Sequence, residues 1–280
     1  MGNEADSKSK GRDAYIAAED RPLLQLPLPA LDDAEGDRLP VNMPLVIDAH
    51  VHLFPTKLFQ AVWGWFDKYG WPIRYRLSAP EIVKFLTARG VSHIVGLQYA
   101  HKPGMAEELN HLMAGWMDEY PQLVGLATCF PGEKGAAAIL GSAFENGLKG
   151  VKLHIHVQGF DMNAPELEAV YRACIEHDRP LLMHAGREPK SPAYRCDPYA
   201  LCSTARVEKI LQRFPDLRLC VPHMGLGECD AYARLIENYD NLWLDTTMAL
   251  SNYFTELPAP DIRTMRLDRI MYGSDFPNIP

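Results

Sequence analysis

The stretch VIDAHVHLF, residues 46–54, is a short aliphatic run that carries His50 and His52 near its end. Runs of this length, rich in branched side chains and bounded by turn residues, are typical of buried β-strands. Comparable runs recur along the chain. Together they predict eight strands: LVIDAH (45–50), SHIVGLQ (92–98), LVGLATCF (123–130), LKGVKLHIH (148–156), PLLMHAG (180–186), LRLCVPHMG (217–225), NLWLDTT (241–247) and DRIMYGSDF (268–276).

Helical patterns separate the predicted strands. Amphipathic stretches lie at residues 79–89, 104–119, 134–145, 165–177, 203–214 and 228–238, and several of them end at glycine or proline. A strand followed by a helix, repeated along the chain, implies parallel pairing, and eight such units imply closure into a barrel. We therefore predict an α/β protein with the (β/α)8 TIM-barrel fold.

Both ends of the sequence differ from those of a plain barrel. Only five residues follow Asp275, which leaves no room for a final outer helix. We expect the groove between strands eight and one to lack an outer helix. Either the sequence is truncated, or a partner subunit covers the groove, or the N-terminal arm covers it. We favour truncation. Residues 1–42, with the leucine-rich stretch RPLLQLPLPAL, are predicted to form a partly disordered arm, and residues 43–280 the barrel.

Composition and charge exclude several classes of protein. A chain of 280 residues with 47% hydrophobic side chains can bury one large core. The formal net charge of -8 argues against a nucleic-acid partner. The six cysteines show no C-x-x-C spacing, the N-terminus has no secretory apolar segment, and no apolar run is long enough to cross a bilayer. We expect a cytoplasmic protein without a membrane partner, and a homo-oligomer is possible.

Residues with metal-binding chemistry lie at the ends of predicted strands. His50 and His52 are two apart, so strand alternation places both on one face. For this pair alone, hydrogen-bonded structural histidines are as good an explanation as metal ligands. His184, His223 and Asp275 close three further strands, and the carboxyl ends of barrel strands converge on one pocket. Burying these groups together calls for a compensating cation, and their nitrogen and oxygen donors suit a divalent transition metal.

The ordered motifs DAHVHL, GVKLHIH, LLMHAG, VPHMG and GSDFP resemble those of the amidohydrolase superfamily. The resemblance covers about residues 45–280 and is to the amidohydrolase-related branch, which includes aminocarboxymuconate-semialdehyde decarboxylase. It implies one divalent metal, usually zinc with manganese as the alternative, and His50, His52, His184 and Asp275 as its ligands. It also implies that His223 and Asp275 are catalytic, because Asp275 can bind the metal with one oxygen and accept a proton with the other.

The resemblance implies an enzyme acting on a small molecule. The expected function is hydrolysis of an ester, lactone or amide of a carboxylate-bearing compound by water that the metal activates. The alternative is a metal-dependent non-oxidative decarboxylase of the same branch, because fold and ligand type serve both reactions. A third possibility is a non-catalytic barrel that binds a ligand or a partner.

Two further residues are candidate substrate contacts. Lys152 shares a predicted strand face with His154 and His156; in binuclear members of the superfamily a carbamylated lysine bridges two metals, but the resemblance favours one metal. Lys152 can instead bind a substrate carboxylate or pair its ammonium within the barrel. Arg187 can bind a carboxylate through two hydrogen bonds, although solvated loop arginines are common.

Two long connections are expected to shape substrate specificity. Residues 53–80 carry three tryptophans and suggest an insertion that faces the substrate or packs on the barrel rim. Residues 186–202 are too long for a tight turn and suggest a loop over the pocket or an ordinary surface excursion.

Overall fold

The structure is a computed structural model that describes residues 33–188, 190–251, 257 and 259–279. All eight predicted strands are present. They are β1 Val46–His52, β2 Val91–Leu97, β3 Leu123–Gly125, β4 Val151–His154, β5 Leu181–His184, β6 Leu219–Val221, β7 Leu242–Asp245 and β8 Ile270–Met271.

The strands pair in parallel and in chain order, which brings their carboxyl ends to one side. β1, β2 and β3 form one sheet, and β4 to β8 form another. Backbone hydrogen bonds join the two sheets at both seams. At one seam the amide of Lys152 donates to the carbonyl of Ala127 at 2.8 Å; at the other the amide of Ala49 donates to Tyr272 at 2.9 Å. The eight strands therefore form the ring of a TIM barrel, as the sequence predicts.

Helices surround the ring between successive strands. They are α1 Thr56–Tyr69, α2 Ala79–Ala88, α3 Ala106–Glu119, α4 Ala136–Glu145, α5 Ile155–Gln158, α6 Glu168–Glu176, α7 Pro198–Leu201, α8 Thr204–Arg213 and α9 Cys229–Asn238. Each of the six predicted helical patterns contains one of them. α2 begins with a capping box, in which Ser78 and Glu81 satisfy each other's backbone amides.

Several strands are shorter than predicted, and the end of β4 is the difference that bears on the site. The run LKGVKLHIH was predicted to be strand through His156, but β4 ends at His154 and the short helix α5 begins at Ile155. The Gln158 side chain accepts a hydrogen bond from the backbone amide of His154 at 2.7 Å, which satisfies a donor that would otherwise pair along the sheet. Lys152 and His154 therefore share strand alternation, whereas His156 is placed by a helical turn.

The groove between β8 and β1 is open in the described part of the chain. Leu45 is 72% exposed, Ile47 48% and Tyr272 53%. Leu39 lies beside the C-terminal end of α2, where its amide donates to the carbonyl of Arg89 at 2.8 Å. The stretch RPLLQLPLPAL lies outside the described residues, so its predicted arm is not tested. None of the described helices is long and apolar enough to cross a membrane.

Candidate metal centre

His50 is held in one orientation at the end of β1. Its Nδ1 lies 2.8 Å from Oδ2 of Asp245, and both side chains are fully buried. The carboxylate accepts the Nδ1 proton, so Nε2 carries the lone pair, and Nε2 lies 3.5 Å from Nζ of Lys152. Burial is the largest cause that lowers the pKa of His50, to about 3, and the nearby Lys152 ammonium lowers it further. His50 is therefore a neutral imidazole at neutral pH, as a metal ligand must be.

Asp275 and His52 complete a compact donor group with His50. Oδ1 of Asp275 lies 3.0 Å from Nε2 of His52 and 3.6 Å from Nε2 of His50. Burial raises the pKa of Asp275, but the His52 hydrogen bond and the neighbouring imidazoles outweigh it and lower the pKa to about 2. The donor atoms of the three residues lie within 4.8 Å of one another. Two imidazoles and an ionised carboxylate at this spacing fit one divalent ion.

His184 is not part of that compact group. Its Nδ1 lies 3.0 Å from Nε2 of His223, and its Nε2 lies 3.1 Å from the carbonyl oxygen of Glu188. Both ring nitrogens are therefore engaged, although the ring is buried next to His223, whose own ring centroid is 5.4 Å from that of His50. The predicted role of His184 as a fourth ligand requires one of these contacts to be exchanged for the ion, and it stays a prediction.

A second set of imidazoles was not predicted as a group. His154, His156 and His184 bring their ring nitrogens within 4.8 Å of one another, and Nδ1 of both His154 and His156 is buried without a hydrogen-bond partner. The His154 and His184 rings are stacked, with centroids 4.1 Å apart and planes 6° from parallel. The nitrogen lone pairs of two parallel stacked rings lie in two separate planes. His154 and His184 therefore cannot both point their lone pairs at one ion at the usual nitrogen–metal distance of about 2 Å. This arrangement favours one ion rather than two.

Asp245 is the site residue that the sequence reasoning missed. Its Oδ2 binds His50, while its Oδ1 accepts hydrogen bonds from the backbone amides of His223 at 2.9 Å and Thr247 at 3.2 Å. One buried carboxylate thus positions both a predicted ligand and the predicted catalytic histidine. The available signal was its place at the end of the predicted strand NLWLDTT, the same kind of position that His184 and Asp275 occupy.

The backbone around the site adopts conformations that most side chains avoid. The angle φ is +58° at His223, +51° at Met224 and +66° at Asp275. Left-handed backbone at residues other than glycine costs on the order of 1–3 kcal/mol and clusters at functional sites. The Asp275 amide donates to the carbonyl of His50 at 2.9 Å, which ties this strained residue to β1.

Lys152 and Arg187 lie apart from the open part of the site. The Lys152 side chain is fully buried beneath the donor group, with Nζ 3.5 Å from Nε2 of His50, and burial lowers its pKa to about 8. Arg187 forms an ion pair with Glu228 at 3.2 Å and donates to the carbonyl of Cys202 at 3.1 Å. Neither residue lines the cavity above the donor group, whereas Arg195 does.

A cavity of about 330 Å³ lies over the donor group. His52, Asp275 and His223 form part of its wall, and most of the remaining lining is apolar or aromatic. The two long connections supply much of that lining, including Leu58, Trp65, Phe66, Trp71 and Tyr194. Both connections therefore face the pocket. Trp63, which belongs to the first connection, instead packs in the protein core.

The fold and the site together give the class of this protein. It is a (β/α)8 barrel with a group of histidine and aspartate side chains, a candidate metal centre, at the carboxyl ends of its strands. The chain belongs to the amidohydrolase family, since the model of the family described as Amidohydrolase matches residues 47–280. The resemblance found in the strand-end motifs is thereby confirmed. No curated protein matches the chain.

Several solved structures share the fold. An uncharacterised TIM-barrel protein from Bordetella bronchiseptica is 18% identical with a TM-score of 0.61, and the match covers 84% of this chain and 87% of that one. 5-Carboxyvanillate decarboxylase from Novosphingobium aromaticivorans, with manganese and 4-hydroxy-3-methoxy-5-nitrobenzoic acid, is 16% identical with a TM-score of 0.62, covering 87% and 89%. A probable 2-pyrone-4,6-dicarboxylic acid hydrolase from Acinetobacter baumannii, with citric acid, is 18% identical with a TM-score of 0.52, covering 83% and 84%. At these identities the likeness shows the fold alone.

Proposed function

We propose that this protein is a metal-dependent non-oxidative decarboxylase of a small aromatic acid. The observation that carries the proposal is the cavity of about 330 Å³, whose walls are mainly aromatic and aliphatic and whose floor is the donor group. A flat apolar ring fits such walls, and its carboxylate then reaches His52 and Asp275 at the floor. The structures that share the fold include both a decarboxylase and a probable hydrolase, so the choice between the two reactions rests on the lining of the cavity.

His50, His52 and Asp275 are the residues that would hold the ion, with His184 as the predicted fourth ligand. When bound, a divalent ion supplies electrostatic stabilisation of negative charge on substrate oxygens. Zinc is the metal that the sequence resemblance implies, and manganese is the metal named in the decarboxylase structure. Asp245 keeps His50 in the required tautomer through its hydrogen bond to Nδ1.

The apolar lining favours loss of carbon dioxide. Decarboxylation breaks the bond between the ring carbon and the carboxylate carbon; the electron pair stays on the ring carbon, and neutral carbon dioxide leaves. An apolar wall raises the free energy of the charged carboxylate more than that of the neutral product. Leu58 and Trp65 lie in the wall of this cavity and present apolar surface to it.

His223 is the proposed proton carrier. Its Nδ1 lies 3.2 Å from the carbonyl oxygen of Thr247, so this nitrogen carries a hydrogen and donates it. The other nitrogen, Nε2, faces His184 and the cavity and can hold the proton that the ring carbon takes up when carbon dioxide leaves. The overall balance is one carboxylate and one proton consumed, with one arene and one carbon dioxide formed.

Hydrolysis is the second candidate, and one observation favours it. Asp275, with its pKa lowered to about 2, is an ionised carboxylate at neutral pH and can accept a proton from an attacking water. In that reaction the water oxygen bonds to the carbonyl carbon of a lactone, ester or amide, and the leaving oxygen or nitrogen takes up a proton. The same side chains can serve both reactions, so the two reactions are distinguished by their products.

Product analysis tests the proposal. The protein is purified without chelator, its metal content is measured, and samples loaded with zinc or manganese are incubated in ¹⁸O-labelled water with hydroxybenzoates, aromatic diacids, lactones and amides. We expect release of carbon dioxide and no label in the arene product. Asp275→Asn is expected to lose both activity and metal. Label in a carboxylate product without carbon dioxide would establish hydrolysis, and a metal-loaded protein active on no compound would reject both reactions.

A further inference from the structure

A second cavity lies inside the barrel, at the end opposite the donor group. Its volume is about 250 Å³, and it shares no lining residue with the cavity over the donor group. Lys149, Pro180 and Arg218 stand just before β4, β5 and β6 and line its mouth, which places it at the amino-terminal end of the strands. This space is the lower cavity, and the cavity over the donor group is the upper cavity. Six strands contribute to the wall of the lower cavity, with Val95, Val124, Leu182, Cys220, Trp243 and Met271.

Small residues explain why this level of the barrel is not filled. The interior of a TIM barrel is normally packed by layers of bulky side chains that point inward from the strands. On β4 the inward side chain of Lys152 extends towards the donor group, and Gly150, two residues earlier, brings no side chain to the lower level. On β1 the lining residue is Ala49. Val95 and Val124 consequently stay only partly buried, although both belong to central strands.

The wall of the lower cavity is mainly aliphatic. Its described lining contains no acidic residue, and Lys149 and Arg218 at the mouth are the charged residues in it. In another protein, an apolar cavity of about 150 Å³ stays dry and binds benzene. A cavity of about 250 Å³ can therefore hold a longer apolar group, whose burial is favourable in proportion to the area removed from water.

The two cations at the mouth differ in how they are paired. The Arg218 guanidinium lies 2.7 Å from Oδ1 of Asp178 and donates to the Asp178 carbonyl at 2.6 Å. Lys149 is exposed, and in the part of the chain that the structure describes it forms no ion pair. An unpaired ammonium beside an apolar cavity is complementary to an apolar ligand with one anionic end.

We propose that the lower cavity is a binding site for an aliphatic monocarboxylate of about eight carbons. The chain of the ligand lies among Val124, Leu182 and Met271, and its carboxylate pairs with Lys149 at the mouth. The flexible stem of Lys149 lets its ammonium follow the carboxylate of the ligand. This site is separate from the donor group, uses no metal and does not depend on the reaction proposed for the upper cavity.

Binding of three small probes tests this proposal. The dissociation constants of octanoate, butanoate and octanol are measured by titration calorimetry on the complete, zinc-loaded protein. We expect octanoate to bind more than about tenfold more tightly than butanoate, because each buried methylene group contributes about fourfold. In Lys149→Gln the octanoate affinity should fall about threefold to fivefold, whereas the affinity for uncharged octanol should not change.

Matched variants identify the cavity that binds octanoate. Val124→Phe adds an aromatic ring to the lower cavity and should abolish octanoate binding. Ala61→Phe adds the same ring to the upper cavity, from an exposed position on α1, and should leave octanoate binding unchanged. Lys209→Gln, which changes an exposed lysine of α8 that lines neither cavity, is the control for Lys149→Gln.

Several outcomes would overturn the proposal. Octanoate binding no tighter than that of butanoate would show that the chain is not buried, and an unchanged octanoate affinity in Lys149→Gln would show that the carboxylate is not at the mouth. Octanoate binding that Ala61→Phe loses and Val124→Phe retains would place the ligand in the upper cavity. Zinc affinity measured in parallel shows whether Val124→Phe is folded, and Lys149→Gln, at an exposed side chain, decides the question if it is not.

Discussion

At the scale of single residues, Asp245 connects the parts of the candidate metal centre. Asp245 is not one of the three donor residues and does not line the cavity. Its two carboxylate oxygens nevertheless contact His50, His223 and Thr247. A carboxylate behind a ligand histidine sets the tautomer and raises the basicity of the nitrogen that faces the ion. The metal affinity of this protein should therefore depend on a residue that never touches the metal.

Asp245→Asn tests that dependence. The amide nitrogen of asparagine can donate to Nδ1 of His50, which favours the tautomer with hydrogen on Nε2 and removes the lone pair that a metal needs. We expect the zinc dissociation constant, measured by competition with a fluorescent chelator, to rise about 10- to 100-fold. Asp240→Asn, which changes an exposed carboxylate that pairs with Arg266, is the control and should bind zinc normally. Unchanged zinc affinity in Asp245→Asn would show that His50 is positioned by other contacts.

At the scale of elements, close contact between neighbouring strands sets the position of the ligands. Gly273 lies just after β8, and a Cβ atom there would be 2.7 Å from Oγ1 of Thr247 and 2.8 Å from Cβ of His50. Neither neighbour is the flexible end of a long side chain. The absence of a side chain at Gly273 therefore lets β1 approach the segment after β8 closely enough for His50 and Asp275 to meet.

Gly273→Ala should disturb both stability and the site. Forcing a methyl group into this contact costs about 1–3 kcal/mol in unfolding free energy, since His50 or Thr247 must move. We expect a lower urea midpoint together with weaker zinc binding. Gly64→Ala is a matched control, because Gly64 lies within α1 and a methyl group added there would meet no neighbouring atom within 4 Å. That control should be neutral or slightly stabilising. Normal zinc binding by Gly273→Ala would mean that the backbone at this seam can adjust.

Elements were easier to predict from the sequence than contacts were. Aliphatic runs and amphipathic stretches identified all eight strands and six of the nine described helices, because burial imposes those periods along the chain. The end of β4 was misjudged, since the Gln158 hydrogen bond that favours α5 gives no periodic signal. The pairing of His50 with Asp245 was also beyond prediction. Strand-end position shows which residues meet in one pocket, but not which nitrogen faces which oxygen.

At the scale of the whole molecule, the buried imidazoles couple stability to pH. Burial is the main cause that lowers the pKa of His50 to about 3 and of His156 to about 4, and it lowers the pKa values of His154 and His184 well below the usual range. In the unfolded chain these groups titrate near pH 6.5. As the pH falls below about 6.5, the unfolded chain binds protons that the folded chain does not, so stability decreases.

The metal-free protein should therefore lose stability between about pH 6.5 and 4, by at most about 1.4 kcal/mol per pH unit for each such imidazole. Asp275, with its pKa lowered to about 2, adds a further loss only below about pH 4. Urea unfolding at pH 7, 6 and 5 measures the slope. His156→Gln should make it shallower, and substitution of the exposed His111 by glutamine should not. A midpoint independent of pH would contradict the burial of neutral imidazoles.

The seam between β1 and β8 also determines when the site can exist during protein synthesis. Asp48 and Ser274, which are hydrogen bonded across this seam, are 226 positions apart in the chain. His50 and His52 leave the ribosome early, whereas Asp275 leaves it only after all eight strands have been translated. A nascent chain therefore lacks the compact group of three donors until translation has passed the eighth strand. Metal capture by the complete group must follow, rather than guide, the folding of most of the polypeptide.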